Sequence, residues 1–180
     1  MSDEAIRKAL REAVISGCGL YRYTLHRPPE VQYPERSTAA FVMLNPSTAD
    51  ATQDDPTIRR CRGFARAWGC NGLTVLNLYA LRSTDPAALW SAADPVGPEN
   101  DDYLRRIARE YGDVVCAWGS NAKPDRVAAF LRIMAGAAAR LWCLGMTKNG
   151  SPRHPLYVRA DQPLVPWTAA VERAAQEDKR

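Results

Sequence analysis

No apolar run in the chain approaches the roughly 20 residues that cross a bilayer. The opening, Met1-Ser2-Asp3-Glu4-Ala5-Ile6-Arg7-Lys8, carries acids and lacks a signal peptide's apolar core, so a cytoplasmic location is expected. Cysteine is scarce and poorly arranged for pairing: five residues, an odd number, with no C-x-x-C. Three of them fall in apolar runs or on an apolar helix face, the pattern of reduced, buried thiols. Only two histidines occur, His26 and His154, so no zinc site is expected, nor any other cofactor. Glycine is missing from the first strand-to-helix turn, Asn45-Pro46-Ser47-Thr48-Ala49-Asp50, which excludes a dinucleotide site that needs glycines for close pyrophosphate approach. No Gly-Lys-Ser/Thr phosphate loop occurs either. Charge is nearly balanced, with 24 Lys and Arg against 20 Asp and Glu. The net +4 fits a nucleic-acid partner without requiring one. Repeats, low-complexity tracts and linkers are absent, so residues 1–180 read as one domain with a single sizeable core.

What is present is an alternation of strands and helices. Residues 2–14 read as an amphipathic helix, and 20–26 as a strand, antiparallel at a sheet edge. Strands follow at 39–44, 73–79, 113–118 and 141–144. Asp54-Asp55-Pro56 is a helix start, an acidic N-cap followed by proline at the first helical position. That helix sets Ile58, Cys61, Ala65 and Trp68 on one stripe and closes at Gly69. Further helices read at 100–111, 126–137 and 166–176, with a turn at 95–98 and an irregular segment at 145–157. The pattern predicts a three-layer α/β/α fold around a central, mostly parallel four-stranded sheet. Residues 1–38 supply a helix and an edge strand, 39–160 the core and 161–180 a last helix.

In such a sheet, ligands bind beyond the carboxyl ends of the strands. Four strand ends here carry small or hydrogen-bonding residues and can converge on one pocket. Asn45-Pro46, after Phe41-Val42-Met43-Leu44, resembles the G-x-N-P-G motif of the mismatch-specific and single-strand-selective uracil-DNA glycosylases. Leu44 and Ser47 stand where that motif has small residues. Val75-Leu76-Asn77 resembles the second-strand segment of the uracil-specific branch, and Trp118-Gly119-Ser120-Asn121-Ala122 its W-G-S-x-A. Ser151-Pro152-Arg153-His154-Pro155 resembles the last motif, H-P-S-P or N-P-S-G. The similarity runs in order over roughly residues 39–160. More closely still, the chain resembles a bacterial and phage family of unknown function placed near that superfamily.

The resemblance implies a protein that flips out a nucleotide, holds its base and breaks the N-glycosidic bond. Asn45 would place the attacking water, with Pro46 and Ser47 beside it. Asn77 would read the base, since an amide both donates and accepts; alone it reads equally as a turn-capping residue. Trp118, Gly119 and Ser120 would line the base site, with Trp118, Ile58 or Phe64 stacking; helical spacing makes the last two core residues first. The last motif's register is open: His154 or Asn149 falls at the catalytic position, with His154 preferred because imidazole better stabilises an anion. Leu156 or Tyr157 would wedge into a base stack. Arg82, Lys123, Lys148, Ser151 and Arg153 would meet the nucleic-acid backbone, flanked by Arg59, Arg60 and Arg62. An amide does not titrate usefully, so Asn45 can orient water but not deprotonate it. Asp50, Asp54 and Asp55 could supply a carboxylate, although they read first as loop and N-cap residues. Expected partners are DNA or a nucleobase ligand. A non-catalytic base-binding module and an enzyme of free nucleosides are the rivals.

Overall fold

Strand β3 (Thr38–Met43) is the spine of the sheet, and five of its six residues are buried. Its side chains alternate between two apolar layers, as the strand period of two requires. Ala40 and Val42 face one cluster, Phe41 and Met43 the other. The computed structural model describes residues 13–29, 38–47, 53–85 and 87–167. The remaining strands are β1 (Ala13–Ile15), β2 (Arg22–Arg27), β4 (Gly72–Asn77), β5 (Asp113–Cys116), β6 (Arg140–Cys143) and β7 (Val165–Pro166). The helices are α1 (Pro56–Ala67), α2 (Ala88–Ser91), α3 (Asn100–Tyr111) and α4 (Pro124–Gly136), with a 3-10 turn at Pro155–Tyr157.

Local sequence chemistry sets the helix ends. Asp55 accepts the Ile58 N–H at 2.8 Å and Pro56 opens α1, so one backbone donor is capped and another is absent by design of the ring. Helix α3 stops at Gly112, whose φ of 67° is left-handed and costs glycine little. Ile58, Cys61, Phe64 and Ala65 turn α1 onto the face carrying Phe41 and Met43. Leu104, Ile107 and Ala108 of α3, with Phe130, Leu131 and Met134 of α4, cover the opposite face. The fold is α/β, with helices on both faces of a mixed sheet.

Among the described residues the sheet has seven strands in the order β1-β2-β4-β3-β5-β6-β7, which corrects the expected four. Its middle, β4-β3-β5-β6, pairs in parallel. The other three pairings, β1 with β2, β2 with β4 and β6 with β7, are antiparallel, so the sheet is mixed rather than mostly parallel. Strand β2 is antiparallel but interior, because β1 pairs outside it. Residues 13 and 14, read as the end of a helix, belong to β1, where Ala13 and Val14 pair with Leu25 and Thr24. Residues 2–12 of that expected helix lie outside the described part. Pro166, read as a helix start, pairs with Trp142 at the sheet edge, where a residue without an N–H is tolerated. The rest of that expected helix, 168–176, also lies outside the described part. Cys61, Cys116 and Cys143 are buried and Cys18 is exposed, all free thiols. Among the described residues no helix is long and apolar enough to cross a membrane.

Helix α1 carries the chain from β3 to β4 on one face, while α4 carries it from β5 to β6 on the other. The connections therefore diverge between β3 and β5. A crevice opens at the carboxyl ends of strands where that happens.

Candidate functional site

A cavity of about 540 Å³ lies at that divergence. It is walled by the ends of β3, β4 and β5, the N-terminus of α1, and the segment after β6. Its size falls in the range of small-ligand pockets.

Backbone bonds continue beyond β3 and hold its end in place. Met43 and Leu44 accept the N–H groups of Leu78 and Tyr79 at 2.8 and 2.9 Å. Asn45 then donates through Nδ2 to the Ser83 carbonyl at 2.9 Å and to Pro46 O at 3.1 Å. Both amide protons are thereby committed, so Oδ1 remains as the side chain's acceptor for a ligand or water. This pairing also fixes which way the amide faces.

Asn77, at the end of β4, has the opposite character. It is 2% exposed, and its Nδ2 has no hydrogen-bond partner among the described residues. Behind it, fully buried Asn100 donates to the Asn77 and Leu78 carbonyls, each at 3.0 Å. Arg126 Nε donates to Leu78 O at 2.6 Å and its guanidinium pairs with Asp101 at 2.7 Å. Polar side chains of α3 and α4 thus fasten this strand end, while Asn77 keeps a buried donor in the cavity wall. An unsatisfied buried donor costs about 1–3 kcal/mol, and a ligand carbonyl would satisfy it.

The segment after β6 is folded onto the β5 end, with Gly119 N–H donating to Pro152 O at 2.9 Å and Arg153 N–H to Gly145 O at 2.9 Å. Gly119 needs its φ of 76° to make that approach. Within the segment, Thr147 Oγ1 donates to Asn149 Oδ1, which also accepts the Ser151 N–H at 3.4 Å. Asn149 therefore builds a turn and does not line the cavity. His154 does line it. His154 Nδ1 accepts the Leu156 N–H at 3.3 Å, capping the 3-10 turn, which places the ring proton on Nε2. Burial holds the imidazole below its ordinary 6.5, with the Asp55 charge partly opposing. The ring is a neutral hydrogen-bond donor. Arg60 of α1 clamps this turn by donating from Nε to Pro155 O at 3.2 Å and from Nη2 to Val158 O.

The cavity gathers Asn45, Ser47, Asn77, Trp118, Gly119, Ser120, Lys148, Arg153, His154 and Tyr157 from the residues expected there. Ile58 lines it too, whereas Phe64 is core. Trp118 is 2% exposed and packs edge-to-face on Phe130 and Trp167, so it is wall rather than a free stacking surface. Tyr157, 80% exposed, lines the cavity with its ring 5.6 Å from that of His154, and Leu156 beside it is also exposed. Pro46, Arg82, Lys123, Ser151 and Leu156 do not line the cavity. Arg82 donates to Gly19 O at 3.1 Å, and the Lys123 ammonium sits 4.7 Å from the centre of the Trp90 ring.

The flanking arginine cluster makes bonds within the fold. Arg59 donates to Asp54 O at 2.6 Å, Arg60 holds the 3-10 turn, and Arg62 pairs with Asp54 at 2.9 Å. Asp54 also meets Arg27 at 2.7 Å. Burial pushes the Asp54 carboxyl up, but the hydrogen bonds and charges of Arg27 and Arg62 outweigh it and hold it below the ordinary value. Asp50 lies outside the described residues.

Sequence reasoning passed over Arg22, Thr57, Ser83, Thr84, Asn121 and Thr147, all of which line the cavity. Asp55, read first as an N-cap and also as one of three carboxylates that could serve the site, lines it as well. A helix that follows a strand starts at the sheet's carboxyl edge, which carries its N-cap to the site. Ser47 Oγ donates to Asp55 Oδ2. Neither a curated protein nor a solved structure matches the chain. A family described as "Protein of unknown function (DUF1643)" matches residues 22–156, about three quarters of the chain and every described wall of the cavity except Tyr157, and the chain belongs to that family.

Proposed function

We propose that the protein binds a nucleobase in this cavity and hydrolyses its N-glycosidic bond, in the manner of the uracil-DNA glycosylases its motifs resemble. The observation that carries the reading is the convergence of Asn45, Asn77 and His154 on one cavity. Their hydrogen-bonding states are complementary. Asn45 offers an acceptor for water, Asn77 a buried donor for a base carbonyl, and His154 an Nε2–H for a departing anion. A fixed donor aimed at developing charge stabilises the transition state more than the ground state. Tyr157 and Leu156, exposed beside the mouth, are the side chains available to fill the gap left by a flipped nucleotide. Lys148 and Arg153 would meet its phosphates. The setting proposed is cytoplasmic.

The test is incubation with oligonucleotides carrying uracil, hydroxymethyluracil, hypoxanthine or ethenocytosine, followed by alkaline cleavage at abasic sites. Release from at least one is expected, with loss in Asn45→Ala and His154→Ala. Unchanged rates in both variants would reject the site assignment.

One observation favours a second reading, action on a free nucleoside or nucleotide. Arg59, Arg60 and Arg62 each make bonds within the fold, which favours a ligand without a long phosphate backbone. Stabilisation by nucleosides in a thermal shift, with indifference to DNA, would favour it.

A further inference from the structure

Asp55 is the only carboxylate among the described residues that line the cavity, whose other charged lining residues are Arg22, Lys148 and Arg153. Its capping duty occupies Oδ1, which takes the Ile58 N–H at 2.8 Å. Oδ2 takes the Ser47 hydroxyl. A carboxylate has about four acceptor positions, so two remain after these bonds. Serine, threonine or asparagine would cap the helix as well; capping alone does not call for a charge here. The same cavity carries the unpartnered Asn77 Nδ2, in a side chain 2% exposed, which marks it independently as a place built to hold a ligand. Asn45 cannot take a proton.

We infer that Asp55 is the general base of the site, a catalytic residue that deprotonates the water Asn45 orients. The inference rests on the hydrolytic reading above. In the step, the water oxygen forms a bond to the sugar's anomeric carbon and one water proton passes to Asp55. The C–N bond breaks, its electron pair leaves with the base, and the resulting anion takes a hydrogen bond from His154 Nε2–H. Solvent later removes the proton from Asp55 and protonates the free base. Ser47 holds the carboxylate toward the cavity, as a positioning residue.

The experiment compares wild-type protein with Asp55→Asn and Asp55→Ser, both of which keep a capping oxygen. Base release from the oligonucleotide set, binding of the uncleaved oligonucleotide and the thermal midpoint are measured together. General-base removal is expected to slow release at least 100-fold, with binding and thermal midpoint near wild type. Formate is expected to restore part of the rate to Asp55→Ser, in the space its shorter side chain opens. Release within threefold of wild type in both variants overturns the inference and leaves the hydrolytic reading standing. Loss of rate with equal loss of folding and no formate rescue also overturns it, since capping then explains everything. Absence of release by the wild-type protein overturns both.

Discussion

His154 is a neutral ring because its Nδ1 already holds the Leu156 N–H and because burial disfavours the charged form. Protonation must break that bond. Its titration, followed by imidazole NMR, is therefore expected below the ordinary 6.5, and lower still in Asp55→Asn, which removes the charge that props it up. The sign for stability follows. The group's folded-state value is depressed, so its contribution is complete above 6.5 and is lost as pH falls through the lower folded value. A His154→Gln variant should lose that acid-side slope in a pH series of unfolding curves. Asn77 carries the opposite bargain between stability and function. Replacing Asn77, whose buried Nδ2 has no partner among the described residues, by leucine is expected to leave the thermal midpoint unchanged or raised, while ligand binding falls at least tenfold. A large drop in midpoint would show that the amide is a structural part. At this scale the sequence was legible where chemistry was local. Asn45, Asn77 and His154 stood at recognisable strand ends and loops. Asp55 was legible as a cap and as one of three candidate carboxylates, but Asp-Asp-Pro does not tell which of them reaches the cavity.

Helix α1 ties the site together. Its N-cap lies in the cavity wall, and one turn on Arg60 grips the 3-10 turn that carries His154. Arg60→Ala should loosen that turn. Hydrogen exchange at residues 153–158 is expected to quicken, with a fall in kcat greater than any rise in KM. Lysine should rescue poorly, because one ammonium does not reproduce the planar fork that reaches two carbonyls. Exchange unchanged in Arg60→Ala would remove the clamp from the explanation. The bounds of α1 and α3 were readable from caps and the 3.6-residue period, whereas α4 starts at Pro124, two residues before the expected start. The two outermost strands were not legible. Ala13–Ile15 and Val165–Pro166 are strands of three and two residues, too short for any period to identify. They exist because a neighbouring strand offers unpaired backbone groups, a tertiary cause that no local pattern contains.

Across the molecule, the sheet widens antiparallel on both sides of a parallel middle, and the cavity sits where its connections diverge. The order of strands in space is not a local property, so the seven-stranded sheet was not legible even though five of its strands, β2 to β6, were. The arginine cluster shows the same limit in charge. Arg59, Arg60 and Arg62 stand together in sequence as a basic cluster, and no local pattern tells that Arg60 reaches the 3-10 turn or that Arg62 pairs with Asp54. Lys148 and Arg153 are the exposed-rim cations that line the cavity. Binding to a single strand should thus depend weakly on salt, with a log–log slope of about −1.4 for two phosphate contacts. A slope several times steeper would place the nucleic acid on another face. The most direct measurement remains base release from the modified oligonucleotides. An abasic product from at least one substrate, abolished in His154→Ala, is the expected result. Intact strands throughout, under conditions where the protein is folded and binds them, would contradict the hydrolytic function.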